Sequence, residues 1–83
     1  MQYEIFLEGF QEHGVLNEWE LDYERVEGLA APLTVGDIFG AELRIDLSPI
    51  KKGRYHFEVL KRLVSTDRIY LIVKINRIFS DYL

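Results

Sequence analysis

Glu18, Glu20, Asp22 and Glu24 recur at every second position, and a hydrolase uses paired carboxylates as its general acid and base. On one face of a pleated strand, side chains two apart stand about 7 Å from each other, close to the separations found in glycosidases. Every strand imposes that spacing, so it carries no specificity. A solvated acidic face that discourages edge-to-edge aggregation accounts for it without chemistry. His13 and His56 are the only histidines and there is no Cys, so a zinc site would need both histidines and carboxylates to converge from distant segments. Ser48, Ser65 and Ser80 fall in turn-like contexts or near the end of the chain, none of them a strand-to-helix elbow that would expose a nucleophile. No catalytic residue, cofactor or metal is expected, and a carboxylate-based hydrolase is the least supported function class.

Gly36-Asp37, within "LTVGDIF", has two further chemical readings. A phosphate cradle needs several glycines and a following helix whose amides face the anion, and neither follows Gly36. A catalytic aspartate needs a partner that perturbs it or takes its proton, and the flanking residues are apolar. The remaining reading is a turn: Gly36 adopts a backbone shape other residues resist, and the Asp37 carboxylate bonds local amides as the chain enters a strand at Ile38.

Binding residues are easier to nominate. Lys51, Lys52 and Arg54 surround Gly53, with Lys61 and Arg62 further along. Such a basic loop with Tyr55, Tyr70 or Tyr82 as stacking platforms is how many small barrels hold single-stranded nucleic acid. The alternative is a solvated loop with tyrosines at the core margin. A second set is apolar. Phe6, Phe10, Leu60, Val64, Ile72 and Ile78 fall opposite the main apolar face of their segments, and a barrel wall in water has no use for so many. They are covered by the C-terminal "IFSDYL" and a loop, or they bury against a protein partner or a second copy in a homodimer.

The elements that must position these residues belong to one domain, 1–83. A chain of 83 residues buries only about 60% of the surface it exposes when unfolded, so its core is compact and a deep two-layer cleft is not expected. Hydrophobic residues make up 48% and charged residues 29%, a globular and not a disordered composition. The opening "MQYEIFLEGF" carries acids and no long apolar run, unlike a signal peptide or membrane span, and the expected location is cytoplasmic. Residues 1–46 hold eleven acids against Arg25 and Arg44, a balance of −9, and residues 47–83 hold eight bases against three acids, +5, for a net −4. The halves are expected to neutralise each other across strands. The alternative is a dipolar surface whose basic end meets an anionic partner. The net acidity argues against a dedicated duplex-DNA binder.

Period-two alternation marks most segments as strands. In 68–79, Ile69, Leu71, Val73 and Ile75 fall on one face while Tyr70, Lys74 and Asn76 fall on the other. In 54–64, Tyr55, Phe57 and Val59 do the same before the phase is lost at Lys61-Arg62, where a bulge would restore an inward aim to Leu63. "STD" at 65–67 makes these two a hairpin. "MQYEIFLEGF" is a strand, "QEHG" at 11–14 a turn, and 38–47 a strand with a bend or bulge at Gly40. Residues 16–28 read as a strand with Trp19, Leu21 and Tyr23 inward, or as a helix capped at Asn17 with Glu20 three residues on. The strand is preferred because a helix would place Leu21 on its polar side.

"APLTVGDIF" resembles the turn into a strand of small bacterial β-barrels, PUA-like and SH3-like folds among them, and "RYHFEVLKRLVSTDRIYLIVKI" is similar to the closing hairpin of short bacterial barrel proteins. Together they cover residues 29–76. The resemblance implies a small barrel. PUA-like domains bind structured RNA, but this chain lacks the extended basic and aromatic surface that would carry such a role over, and no functional residue is transferred.

The expected fold is all-β: a small, strongly bent five-stranded antiparallel sheet or partly open barrel, with room for one short helical turn. The leading function is a non-enzymatic protein-interaction module acting through an apolar strand face or edge, alone or as a homodimer. Single-stranded nucleic-acid binding through 51–62 comes second. On that second reading, oligonucleotide binding falls with added salt and is lost in Lys51→Glu/Lys52→Glu; fluorescence anisotropy with a labelled oligonucleotide checks it.

Overall fold

A computed structural model describes residues 2–17, 19–23 and 33–77. They form five strands, β1 (Gln2–Leu7), β2 (Leu21–Tyr23), β3 (Ile38–Leu43), β4 (Gly53–Val64) and β5 (Arg68–Ile75), with one 3-10 turn at Gln11–His13. The strands make a single strongly curled half-barrel in the order β1-β5-β4-β3-β2. The all-β architecture and the short helical turn agree with the sequence.

Alternation decides the inside. β5 buries Ile69, Leu71 and Val73, β4 buries Phe57 and Val59, β3 buries Phe39, Ala41 and Leu43, and β1 buries Ile5 and Leu7. Leu16, Leu33 and Leu47, from the connections, complete the apolar interior. Phe57 is fully buried, with Phe39 stacked on it at 5.7 Å between ring centroids and Tyr55 against it edge-on at 6.3 Å. No side chain in this interior is polar or charged, so packing is what holds the described sheet.

One pairing departs from the wholly antiparallel expectation. β2, β3, β4 and β5 form an antiparallel meander, but β1 lies parallel to β5, from Gln2 opposite Arg68 to Leu7 opposite Val73. Period two specifies which face a residue takes and is silent about strand direction. The chain reverses after β1 through the Glu8–Gly9 turn and the 3-10 turn, and Leu16 then bridges back to Ile5.

Residues 16–23 combine both local readings. The Asn17 carbonyl accepts from the amides of Glu20 and Leu21, Asn17 Oδ1 accepts from the Trp19 amide at 2.9 Å, and Glu20 Oε2 accepts from the Asn17 amide at 3.1 Å. These are the bonds of a capping box, closed for one turn only. The strand therefore starts at Leu21, which is buried, while Trp19 is 83% exposed and not inward as alternation suggested. Residues 24–28 lie outside the described residues.

Gly36-Asp37 is the expected turn. The Asp37 amide bonds the Thr34 carbonyl at 3.0 Å and Gly36 has φ +94°, the left-handed third position of a type II turn. The Asp37 carboxylate accepts from the Thr34 amide at 2.8 Å and from its hydroxyl at 3.2 Å. The turn is stitched to the sheet through Val59, whose carbonyl takes the Gly36 amide and whose amide donates to the Asp37 carbonyl. Gly40 makes no bulge: β3 pairs with β4 in unbroken register from Ile38 opposite Glu58 to Leu43 opposite Gly53. A Cβ added at Gly40 would meet His56 at an ordinary 3.8 Å, so nothing there demands glycine.

The bulge that does occur lies between Val59 and Lys61. It acts in the opposite sense to the one expected. Leu63 belongs to the odd series of Tyr55, Phe57 and Val59, so an unbroken strand would aim it inward, and an extra residue sends it out. Lys61 and Leu63 now lie opposite Ile72 and Tyr70 on the outer face, while Arg62 and Val64 share the face of buried Leu71 and Ile69.

Phe57→Ala removes the ring at the centre of this packing. The expected loss is about 3–5 kcal/mol, read as a lowered urea midpoint. Val35→Ser, at an exposed turn tip, is expected to stay within about 0.5 kcal/mol.

Candidate functional site

The bulge and the parallel β1–β5 pair together build a groove on the outer face. Phe6 of β1 stands beside Ile72 of β5, which stands beside Lys61 of β4, and in the next row Tyr70 stands beside Leu63. Phe6, Tyr70 and Ile72 are half-buried and Leu63 is 65% exposed. The space they border with Lys61 and Arg62 measures about 520 Å³. Its floor is apolar, and its cations come from two consecutive residues of one strand.

Charge around it is unevenly satisfied. Arg68 pairs with Glu4 across the β1–β5 seam and also approaches Asp67 at 3.8 Å. The Glu4 carboxylate is the main cause that holds the Arg68 guanidinium above its ordinary pKa. Glu58, opposite Lys74 in the register, accepts from Asn76 Nδ2 at 3.2 Å. Of these contacts, the Arg68–Glu4 pair is the one that joins the basic half of the chain to the acidic half. Lys61 and Arg62 have no acidic partner among the described residues, and the Arg62 Nε is buried without a hydrogen-bond partner. A buried donor left unpaired costs about 1–3 kcal/mol, more when charged.

The apolar residues nominated from the sequence do not all gather here. Phe6 and Ile72 do. Leu60 is the extra residue of the bulge and is half-buried. Val64 sits on the inner face at its margin, 52% exposed, because the bulge reversed the facing of everything after it. Phe10 lies beyond β1, after the Glu8–Gly9 turn, and packs against the core. Ile78 lies outside the described residues. Leu63, which alternation placed inside, and Tyr70 take their places in the groove. Counting one extra residue at Leu60 would have found Leu63.

The basic residues separate. Lys51 and Lys52 lie just before β4 and Arg54 at its start, and Lys61 and Arg62 lie seven positions and more beyond Arg54, about 20–25 Å along an extended strand. Arg54 stands opposite Glu42. The loop is fixed by its own bonds: the Lys52 amide donates to Asp46 Oδ1 at 2.8 Å, and the Tyr55 hydroxyl donates to the Lys51 carbonyl at 2.6 Å. That hydroxyl and the ring contact with Phe57 place Tyr55 at the core margin. Tyr82 lies outside the described residues.

The acids do not form one ladder. Asp22 is bonded by Arg44 across the β2–β3 edge, Glu20 lies in the turn before β2, and Glu18 and Glu24 are outside the described residues. Among the described residues, no group of three or more His, Cys, Asp or Glu could hold a metal ion. His56 stands opposite Gly40 on β4. His13 Nε2 lies 2.7 Å from Glu20 Oε1. Ser48 and Ser65 sit in the turns after β3 and β4. No helix of the described residues is long and apolar enough to cross a membrane.

The chain matches no protein-family model, no curated protein and no solved structure.

One titration is built into the chain between β1 and β2. The Asn17 amide, more than burial opposes it, and then the nearby His13 hold the Glu20 carboxyl below its ordinary 4.5. A carboxylate with a depressed folded pKa contributes stability that is complete above its unfolded value and is lost as pH falls through the folded one. Glu20→Gln is therefore expected to lower the urea midpoint at pH 6 and to converge with the parent as the pH falls through the lowered folded pKa of Glu20.

Proposed function

We propose that this chain is a non-enzymatic interaction module that docks a protein through the outer groove of β1, β5 and β4. The observation that carries this is the groove's composition and position: Phe6, Leu63, Tyr70 and Ile72 converge on a sheet face that the interior does not need. Covering about 400 Å² of apolar surface at ~25 cal/mol per Å² favours binding by about 10 kcal/mol before ordering costs. The core of the described residues lies on the other side of the sheet. Nucleic-acid binding gains no comparable support, since its nominated cations stand at opposite ends of β4.

A photo-reactive phenylalanine analogue at position 63, compared with one at position 35, tests this in the native cell. Both sites are exposed, but only the first borders the groove. A discrete adduct from position 63 with none of the same mass from position 35 is expected, and an adduct at twice the chain mass identifies the occupant as a second copy. No adduct at 63, or identical adducts at both positions, overturns the proposal.

A further inference from the structure

We infer that the occupant of this groove is an extended segment of a partner protein, alternating acidic and apolar residues, which adds as a strand to the edge of β4 at residues 60–64 that no other described strand covers. The inference rests on the docking role proposed above and names the chemistry of the partner. Three observations converge on it.

The first is backbone. The Ser65 amide donates to the Arg68 carbonyl where the β4–β5 hairpin closes. Backbone groups in an antiparallel ladder alternate sides, so Leu63 and Lys61 aim theirs at β5, and Val64 and Arg62 aim theirs away. On that far side β3 begins at Ile38, opposite Glu58, and the last bonds are those of Val59 with Gly36 and Asp37. Beyond Val59, β4 overhangs β3, and no described residue pairs with Arg62 or Val64 there. A strand edge left in this state is a template for another strand.

The second is charge. Lys61 and Arg62 lack acidic partners among the described residues, and the Arg62 Nε is a buried donor with none. A carboxylate delivered beside the edge gives the guanidinium an acceptor, the strongest type of polar contact open to it. The third is the apolar floor. Lys61, Arg62 and Leu63 are consecutive and all border the groove, so a strand laid along this edge puts every second side chain toward Leu63 and Tyr70, beside Lys61, and turns the others to the face of Arg62. Period two in the ligand matches period two in the receptor. A lipid surface would meet the same cations and apolar groups but has no use for unpaired amides, and a nucleic acid would leave the apolar floor unfilled.

The test uses the full chain labelled with nitrogen-15 and a synthetic heptapeptide, Asp-Phe-Glu-Leu-Asp-Phe-Glu with blocked ends. Controls are the same residues reordered so that the apolar ones are contiguous, and a version with Lys for every acid. The alternating acidic peptide is expected to bind, to slow hydrogen exchange at the Arg62 and Val64 amides, and to weaken as salt is added. Lys61→Glu/Arg62→Glu is expected to weaken it by roughly tenfold or more, while Lys51→Glu/Lys52→Glu leaves it unchanged. Val64→Pro, which removes an edge-facing amide at a position where strands tolerate proline, abolishes protection at Arg62 if the peptide pairs as a strand. Should the double charge reversal fail to fold, the Val64 variant and the peptide controls still decide. Equal binding of the reordered peptide, no change at the two edge amides, no binding of any peptide at millimolar concentration, or binding of phosphatidylserine vesicles instead each overturns the inference. None of these outcomes alters the adduct at position 63, which is the measure of the docking role alone.

Discussion

In a paired strand the facing of every side chain follows from counting, and one extra residue between Val59 and Lys61 changes the count for the rest of β4. Before the bulge, Phe57 and Val59 point into the core and the strand serves the fold. After it, Leu63 joins Tyr70 outside and Arg62 takes the core side. The same twelve-residue strand thus has a half that packs the core and a half that carries Leu63 to the outer face. Lys61, Arg62 and Leu63, which border the groove, and the stretch of β4 that overhangs β3 all lie in the second half. Without that insertion Leu63 would be buried and the outer face would lose its apolar wall.

The described interior lies on the opposite side of the sheet from the groove. Phe39 on Phe57, with Ile5, Leu7, Leu71 and Val73 around them, fills the concave side with no polar group among the buried residues. The parallel seam between β1 and β5 contributes to both sides at once, giving Ile5 and Leu7 to the core and Phe6 to the groove. Glu4 and Arg68 lie across that same seam. An outer face carrying apolar residues is tolerable because none of them is needed to close the inner one.

The fold was largely legible because a half-buried sheet writes period two into the sequence, and β1, β4 and β5 read plainly. The Gly36-Asp37 turn was legible too, since its backbone shape and carboxylate bonds are local. Three features were not. Strand direction at β1 leaves no trace in alternation. The Asn17–Glu20 signature closes one turn and then yields to a strand, so Trp19 and Leu21 take opposite environments two residues apart. The bulge was visible as a loss of phase, but its effect on Leu63 and Val64 depends on where the extra residue falls. Of the groove, Phe6, Ile72, Lys61 and Arg62 could be named beforehand, and Leu63 was lost to that single miscounting. That the basic residues divide between the ends of β4 follows from the strand's length, which sequence proximity disguises.

The parallel seam also orders the life of the chain. Gln2 meets Arg68 and Leu7 meets Val73, so β1 waits sixty-six positions for its ladder partner, with the bridge to Leu16 nearer at hand. At 5–20 residues per second, synthesis takes about 3–13 s to span that gap. The meander from β2 to β5 can assemble from neighbours, whereas Ile5 and Leu7 stay without their final strand until β5 exists. Strand β1 is made before its ladder partner and sealed after it, and Phe6, one wall of the groove, arrives with it.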